Sequence, residues 1–370
     1  MDMTAITRSQ NAIAINRSLQ YALYSLYTCY DKLPISWRIN YRLIIVQAGY
    51  YPLLAAIGVP VKQVLISSRA RNRLQAHRAS NLVAIAILFR GRCGLSRCIN
   101  YYLMAIAMTG FLVIVNGCIL NRISRIYFSD SVLSTTPICR LTTILVRCSR
   151  DGSVWLTAAF TIDRFVFICL QSLKIRYCTE KMALLIIGMI CILSCVKNFP
   201  LYIIYRPFYI LDGFAWFCGI KSIFYTLPIW QAYDWMNHVL TPFLPFLLIL
   251  LLNVLTVKHI ITASKLRTKL VRAENGSDPE MEYRKTSIVL LFAISISFLL
   301  LWATEVGHFL YLRIKGDAYF NNENFKDLTY VLQETTNLFQ KLNSCNNVVI
   351  YAVSQNKFSE EFKKVLLLCS

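Results

Sequence analysis

Thr161-Ile162-Asp163-Arg164-Phe165-Val166-Phe167-Ile168-Cys169 closes a long apolar helix, residues 138–170, with an acid–arginine pair. Arg164 lies 25 residues after Cys139. An arginine at the inner end of a membrane helix is costly in hydrocarbon unless it snorkels, finds a partner or serves a switch. Asp163 supplies the acid from the neighbouring position.

Working outward, the rest of the chain repeats the apolar theme. Hydrophobic residues make up 56% of it and charged ones 16%, with mean hydropathy +0.49, which argues against a soluble globule. A span needs roughly 20 apolar residues to cross about 30 Å of hydrocarbon. Residues 43–61, 99–120, 138–170, 182–204, 236–257, 286–304 and 328–353 qualify. The expected fold is an all-α membrane protein, a seven-transmembrane helix bundle with a short C-terminal amphipathic helix. Residues 1–42 read as an extracellular segment, 43–353 as the bundle, and 354–370 as the amphipathic helix with a cytoplasmic tail. The third, fourth and seventh spans carry internal charges and should face the bundle interior.

The net charge of +20 would suggest nucleic acid in a soluble protein. Its distribution excludes that reading. With the N-terminus outside, the inner loops gather Arg69, Arg71, Arg73, Arg90, Arg92, Arg97, Lys174, Arg176, Lys258, Lys265 and Arg267, among others. The outer segments hold fewer, which is the positive-inside pattern. These loops face anionic membrane lipid and an intracellular partner. Asn16-Arg17-Ser18 is a glycosylation sequon on the outer side. Residues 1–41 lack a basic start followed by a compact apolar block, so no cleavable leader is read there. The 13 cysteines show no zinc spacing, and no metal, cofactor or enzymatic constellation stands out.

Three further features join Asp163-Arg164-Phe165. Cys139 sits near the outer end of the third span, Trp302 in the middle of the sixth, and Asn347-Val348-Val349-Ile350-Tyr351 at the inner end of the seventh. Together they resemble the rhodopsin-like (class A) G-protein-coupled receptors. The resemblance implies that Arg164 is held by Asp163 at rest and then swings to meet a heterotrimeric G protein; guanidinium suits this because its charge is permanent and its fork can exchange partners. It also implies a disulfide between Cys139 and Cys218, pinning the second outer loop over the bundle; the alternative is two unpaired thiols. Trp302 would lie beneath the ligand, and Tyr351 would close a network around Arg164 in the active state. Cys369 is a palmitoylation candidate.

Gly91-Arg92-Cys93-Gly94-Leu95-Ser96-Arg97-Cys98, the run from Ser149 to Thr157, and Tyr351-Ala352-Val353-Ser354-Gln355 are similar to one orphan group, the probable G-protein coupled receptors 139 and 142, especially divergent fish-type relatives. Mammalian members of that group respond to aromatic amino acids and signal chiefly through Gq-type proteins. The resemblance thus implies a plasma-membrane receptor for a small extracellular ligand. On the outer half of the third span, Arg147, Arg150 and Asp151 are candidates for a carboxylate-bearing ligand, with Trp155, Trp302 and Phe309 as aromatic neighbours. The alternative is an internal ion-pair network of Arg150, Asp151, Glu334 and Lys341.

The chain also departs from the family. Phe165 replaces a tyrosine, Thr304 and Val348 replace prolines, and Asn253 replaces a tyrosine, while Pro245 fits the fifth-span proline. Gly110 stands where a sodium-binding Asp is usual. Residues 62–80, with Lys62, Arg69, Arg71, Arg73, His77 and Arg78, interrupt the first helix. Charges at a helix centre cost about 2.5–3.5 kcal/mol each, so the insert is expected to loop into the cytosol and displace Asn81 from the bundle. These departures leave a non-signalling receptor-like protein or pseudogene product, or more remotely a transporter, as alternatives.

Overall fold

The computed structural model describes residues 46, 49–55, 80–89, 95–123, 131–211, 213–270, 279–315, 328–355 and 358–360. Its main helices are α1 (Ser80–Phe89), α2 (Arg97–Val113), α3 (Thr136–Cys169), α4 (Glu180–Asn198), α5 (Leu244–Leu270), α6 (Pro279–Lys315) and α7 (Leu328–Ser354). A helical piece at 49–55 precedes α1. A π-helical segment, Ile114–Ile123, extends α2, and Pro228–His238 with Val239–Phe243 leads into α5.

Among the described residues, five helices are long and apolar enough to cross a membrane: Arg97–Ile123, Thr136–Cys169, Glu180–Ile204, Pro228–Ala263 and Thr286–Ile314. The two remaining spans fall outside that group for physical reasons. The first is divided, and α7 is polar, with Glu334, Gln340, Lys341, Asn343 and Asn347 all buried. Inward-facing polar groups on a membrane helix satisfy one another within protein instead of facing lipid. Conversely Leu184, Leu185, Ile192 and Leu193 of α4, and Leu247, Leu250 and Leu251 of α5, are exposed. In water such faces would be an aggregation liability; acyl chains cover them in a bilayer. Helix α3 occupies the centre, packing against α2, α4, α5 and α6, and its buried Asp151, Asp163 and Arg164 agree with the inward orientation expected of a charged span.

Local signals fix the helix ends. Ser96 caps α2 by accepting from Ile99 N at 3.4 Å, and Thr179 caps α4 by accepting from Met182 N at 3.4 Å, each satisfying one of the orphan amides of a first turn. Pro137 opens α3, where its missing N–H removes no helix bond. In the fifth span the backbone leaves helical values at Thr241 (φ −151°, ψ 109°), beside Pro242. Pro245, the proline expected to matter, lies instead in the first turn of α5. Helix α6 is uninterrupted, and Thr304 Oγ1 donates to Leu301 O at 3.1 Å.

On the outer side Tyr209–Leu211 pairs antiparallel with Phe214–Trp216, and Gly213 supplies a φ of +77° at the turn, a region glycine enters without a Cβ penalty. Phe217 N donates to Ser134 O at 2.7 Å, and Thr136 Oγ1 donates to Phe217 O at 2.7 Å. The hairpin is thereby docked on the start of α3, and the Cys139–Cys218 disulfide (Cα–Cα 5.9 Å) lies within that contact.

The expected displacement of Asn81 is corrected. Asn81 is fully buried, and its Nδ2 donates to Ser344 O of α7 at 3.4 Å. Before the insert, Tyr51 and Leu54 pack with Ile114, Cys118 and Cys345, and Tyr50 Oη donates to Leu338 O at 2.9 Å. After it, Ala84, Ile87 and Leu88 pack on Ile99, Tyr102 and Leu103. Each piece buries its own apolar face against α2 or α7, so the contacts of a first helix are kept on both sides of the interruption. Residues 62–79, Asn16 and Cys369 lie outside the described residues. Of the C-terminal amphipathic segment residues 354–355 and 358–360 are described; 358–360 are helical, and Phe358 is buried edge-on against Tyr351 at 6.0 Å.

Candidate functional site

At the inner end of α3, Arg164 is 1% exposed. Its Nε donates to Asp163 Oδ2 at 3.0 Å, its Nη2 to the same oxygen, and its Nη1 to Ser287 Oγ of α6 at 3.2 Å. The guanidinium also lies 4.9 Å from the centroid of the Phe167 ring. Asp163 Oδ1 accepts from Cys98 Sγ at 3.3 Å. A buried guanidinium is tolerable when its charge is paired and its donors are used, and this one meets both conditions through α3 and α6 together. One turn above, the hydroxyls of Thr161 and Ser295 lie 3.5 Å apart, linking the same two helices.

Outside the spans, Cys178 Sγ donates to Asp163 O at 3.6 Å. Burial, reinforced by the Asp163 charge, pushes its thiol up to about 12, so it stays protonated. Tyr351 is not beside Arg164: its Oη donates to Leu103 O at 3.5 Å. Asn347 is buried, and its neighbour Asn346 donates from Nδ2 to Ser297 Oγ at 2.6 Å, joining α7 to α6. Phe165 is half-buried. Cys98 and Ser287 complete the surroundings of Arg164; neither carries a sequence signal, since only the packing of α2 and α6 brings them there.

In mid-membrane, Trp302 is 2% exposed and stacks on Phe298 at 5.6 Å. Val154, Ala158 and Ile249 share its cluster, with Trp155 packed alongside. Trp302 also lines a cavity of about 60 Å³, together with Arg150, Ser153, Gln340, Lys341 and Asn343 among others. Close by, the family's sodium-site carboxylate has no room: a Cβ on Gly110 would stand 2.9 Å from Ser344 O. Helices α2 and α7 approach so closely there that only glycine fits without movement.

The expected network of Arg150, Asp151, Glu334 and Lys341 divides into two. Asp151 is 1% exposed; it accepts from Asn198 Nδ2 at 2.6 Å and pairs with Lys197 Nζ at 2.7 Å, with Arg150 Nε at 3.7 Å. Glu334 instead takes Arg122, at 2.9 and 3.1 Å. Lys341 lies over the Tyr51 ring at 5.0 Å and donates to Asn337 O at 3.4 Å. Adjacent positions on α3 point about 100° apart, so Asp151 reaches α4 while Arg150 reaches Gln340 of α7 at 3.5 Å.

Arg147 is half-buried and within electrostatic reach of Lys197 and Tyr233, and it does not line the central cavity. Phe309 stands among other partners: it stacks on His238 at 5.2 Å and meets Trp235 edge-on at 5.8 Å. Arg313 lies 4.1 Å over Trp235 and pairs with Asp234 at 2.9 Å. Lys197, Asn198, Arg122 and the Asp234–Arg313 pair were not singled out from the sequence. A lysine in the fourth span was the one available signal, and its partner lay on another helix.

Residues 80–351 match the model of the 7 transmembrane receptor (rhodopsin family). The chain belongs to that family, and is therefore a multi-pass membrane receptor that transmits an extracellular ligand to a G protein, without enzymatic activity. It is similar to galanin receptor 2a of Danio rerio, 23% identical over 312 residues, covering 82% of this chain and 78% of that one. It is also similar to galanin receptor type 2 of Rattus norvegicus (23% over 287 residues, 77% and 71%) and of Homo sapiens (24% over 287 residues, 77% and 68%).

Proposed function

We propose that this receptor works at the plasma membrane through an Arg164 latch, released when an outer ligand moves α6 away from α3. The observation that carries this reading is the sharing of one buried guanidinium between Asp163 of its own helix and Ser287 of α6. Separation of the two helices removes the Ser287 partner and opens Arg164 to the cytosol, where its permanently charged fork can donate to the G protein's carbonyls. Tyr351, Asn347 and Trp302 belong to the same device as parts that shift between the two states.

For the ligand we favour a small aromatic carboxylate or aromatic amino acid. In the outer half of the bundle Arg147, Arg150 and Lys197 gather around Asp151, and Trp155, Trp302 and Phe309 provide ring surfaces. The resemblance to the probable G-protein coupled receptor 139 and 142 group supports both this class and Gq-type coupling. A second reading, a galanin-type ligand, rests on the relatives named for galanin.

One experiment separates them: nucleotide exchange on Gq-type and other G proteins by reconstituted receptor, challenged with an aromatic amino acid, its neutral amide and galanin. The favoured reading predicts a response to the acid, a weaker one to the amide, and a loss of about ten- to a hundred-fold in acid potency in Arg147→Ala, the worth of one charged hydrogen bond. Equal potency of acid and amide, or a response to galanin alone, contradicts it.

A further inference from the structure

The polar atoms around the mid-membrane cavity are unbalanced in one direction. Trp302 Nε1, Gln340 Nε2 and Ser153 Oγ are buried and make no hydrogen bond, and all three residues line the cavity. Gln340 is held with its amide in this sense because its Oε1 accepts from Arg150 Nη1. Arg150 Nε likewise makes no hydrogen bond, its closest acid oxygen, Asp151 Oδ1, being 3.7 Å away. Indole and amide N–H groups can only donate, and each left unmade in a buried setting is costly.

The charges lean the same way. The lining contains Arg150 and Lys341 and no carboxylate. Asp151 Oδ2 is occupied by Lys197 and Asn198, its Oδ1 lies 3.7 Å from Arg150 Nε without a hydrogen bond, and Glu334 is held by Arg122. Glu305, on the turn above Trp302, faces His238 and His308. Five cations (Arg122, Arg147, Arg150, Lys197 and Lys341) thus stand against three carboxylates (Asp151, Glu305 and Glu334). Uncompensated positive charge deep in a membrane bundle is expensive.

We propose that this cavity is a binding site for a small inorganic anion, chloride in the first instance, held by Lys341 and Arg150 with the N–H groups of Trp302 and Gln340 and the Ser153 hydroxyl. At about 60 Å³ it exceeds the roughly 10–15 Å³ that a water-sized occupant needs. It is far below the roughly 300 Å³ or more of a pocket for a whole organic ligand. The anion would bridge α3, α6 and α7 beneath the ligand, linking three helices that carry the activation parts. Arg150 and Trp302 are shared with the proposed ligand region, so the test is made without ligand, where its outcome does not turn on that reading.

The test uses the full chain in nanodiscs without ligand, following thermal unfolding while chloride replaces gluconate at constant ionic strength. Linkage predicts a saturable rise of about 2–4 °C, unchanged when sodium is replaced by N-methylglucamine. In Lys341→Met and in Gln340→Leu the rise should disappear; the wild-type titration stands by itself if either variant fails to fold. Anomalous scattering from bromide at Trp302 Nε1 would support the same site. Identical melting in chloride and gluconate, as for a cavity holding only water, overturns the proposal. So does a shift that follows the cation. A shift with acetate but none with chloride assigns the cavity to a ligand's carboxylate and equally overturns it.

Discussion

Asn81 and Ser344 are joined by a buried hydrogen bond, Asn81 Nδ2 to Ser344 O at 3.4 Å, and the same carbonyl stands 2.9 Å from where a Cβ on Gly110 would be. One backbone carbonyl of α7 is therefore the point at which α1 and α2 both close on it. Two departures of this chain, the insert before Asn81 and the glycine at position 110, meet at that carbonyl.

Restoring the family's acid should accordingly harm the protein. Gly110→Ala is expected to cost about 1–3 kcal/mol, the range for overpacking a tight contact, and Gly110→Asp more. Neither should create a response to sodium. Melting temperatures of both variants in sodium and in N-methylglucamine check this; a Gly110→Asp protein that is more stable in sodium contradicts it.

Excising residues 62–79 should leave a folded receptor, because Tyr50, Tyr51 and Leu54 before the insert and Asn81 after it already hold their own partners. Surface expression and melting temperature are expected to equal or exceed those of the full chain. Loss of folded protein on excision would show that the insert supports the bundle.

The Asp151–Lys197 pair is buried, with side-chain exposures of 2% and 15%. Lys197→Met leaves Asp151 with Asn198 and a distant Arg150, and breaking a buried pair typically costs about 3–5 kcal/mol. Adding Asp151→Asn to Lys197→Met should recover most of the loss. Thermal unfolding of the two single variants and the double variant decides it; strictly additive losses would mean the residues act independently.

How much of this was legible in the sequence follows from the range of each signal. Hydropathy and loop charge defined the helices because they act locally: α3 begins at Thr136 and ends at Cys169, against an expected 138–170. The resemblance to the family rested on Asp163-Arg164-Phe165, its distance from Cys139, Trp302 and Asn347 to Tyr351, and the Cys139–Cys218 pairing was what that resemblance implied. Partners across helices were not legible. Ser287 and Cys98 look like ordinary span residues, and Lys197 lies 46 positions from Asp151. Arg150 and Asp151 do lie as a pair at 3.7 Å, but Glu334 pairs with Arg122 and Asp151 with Lys197, because neighbouring positions on α3 face different helices. Asn81 was misjudged because a charged insert was assumed to drag its flanks along, whereas each flank has enough buried surface to stay.

Removing the Ser287 hydroxyl tests the latch without touching its arginine. Hydrogen bonds to charged groups are worth roughly 1.5–3 kcal/mol, and 1.4 kcal/mol is tenfold in a two-state equilibrium. Ser287→Ala should therefore raise ligand-independent nucleotide exchange by about tenfold or more, with expression unchanged. An unaltered basal rate would mean that Ser287 does not restrain the resting state.

The central claim is that Arg164 carries the signal, and nucleotide exchange on a heterotrimeric G protein by the purified Ser287→Ala receptor, with and without Arg164→Ala, measures it most directly because no ligand is needed. Adding Arg164→Ala is expected to return exchange to the level of G protein alone, while the melting profile still reports a folded bundle. Undiminished exchange by a folded Arg164→Ala, Ser287→Ala receptor would contradict it.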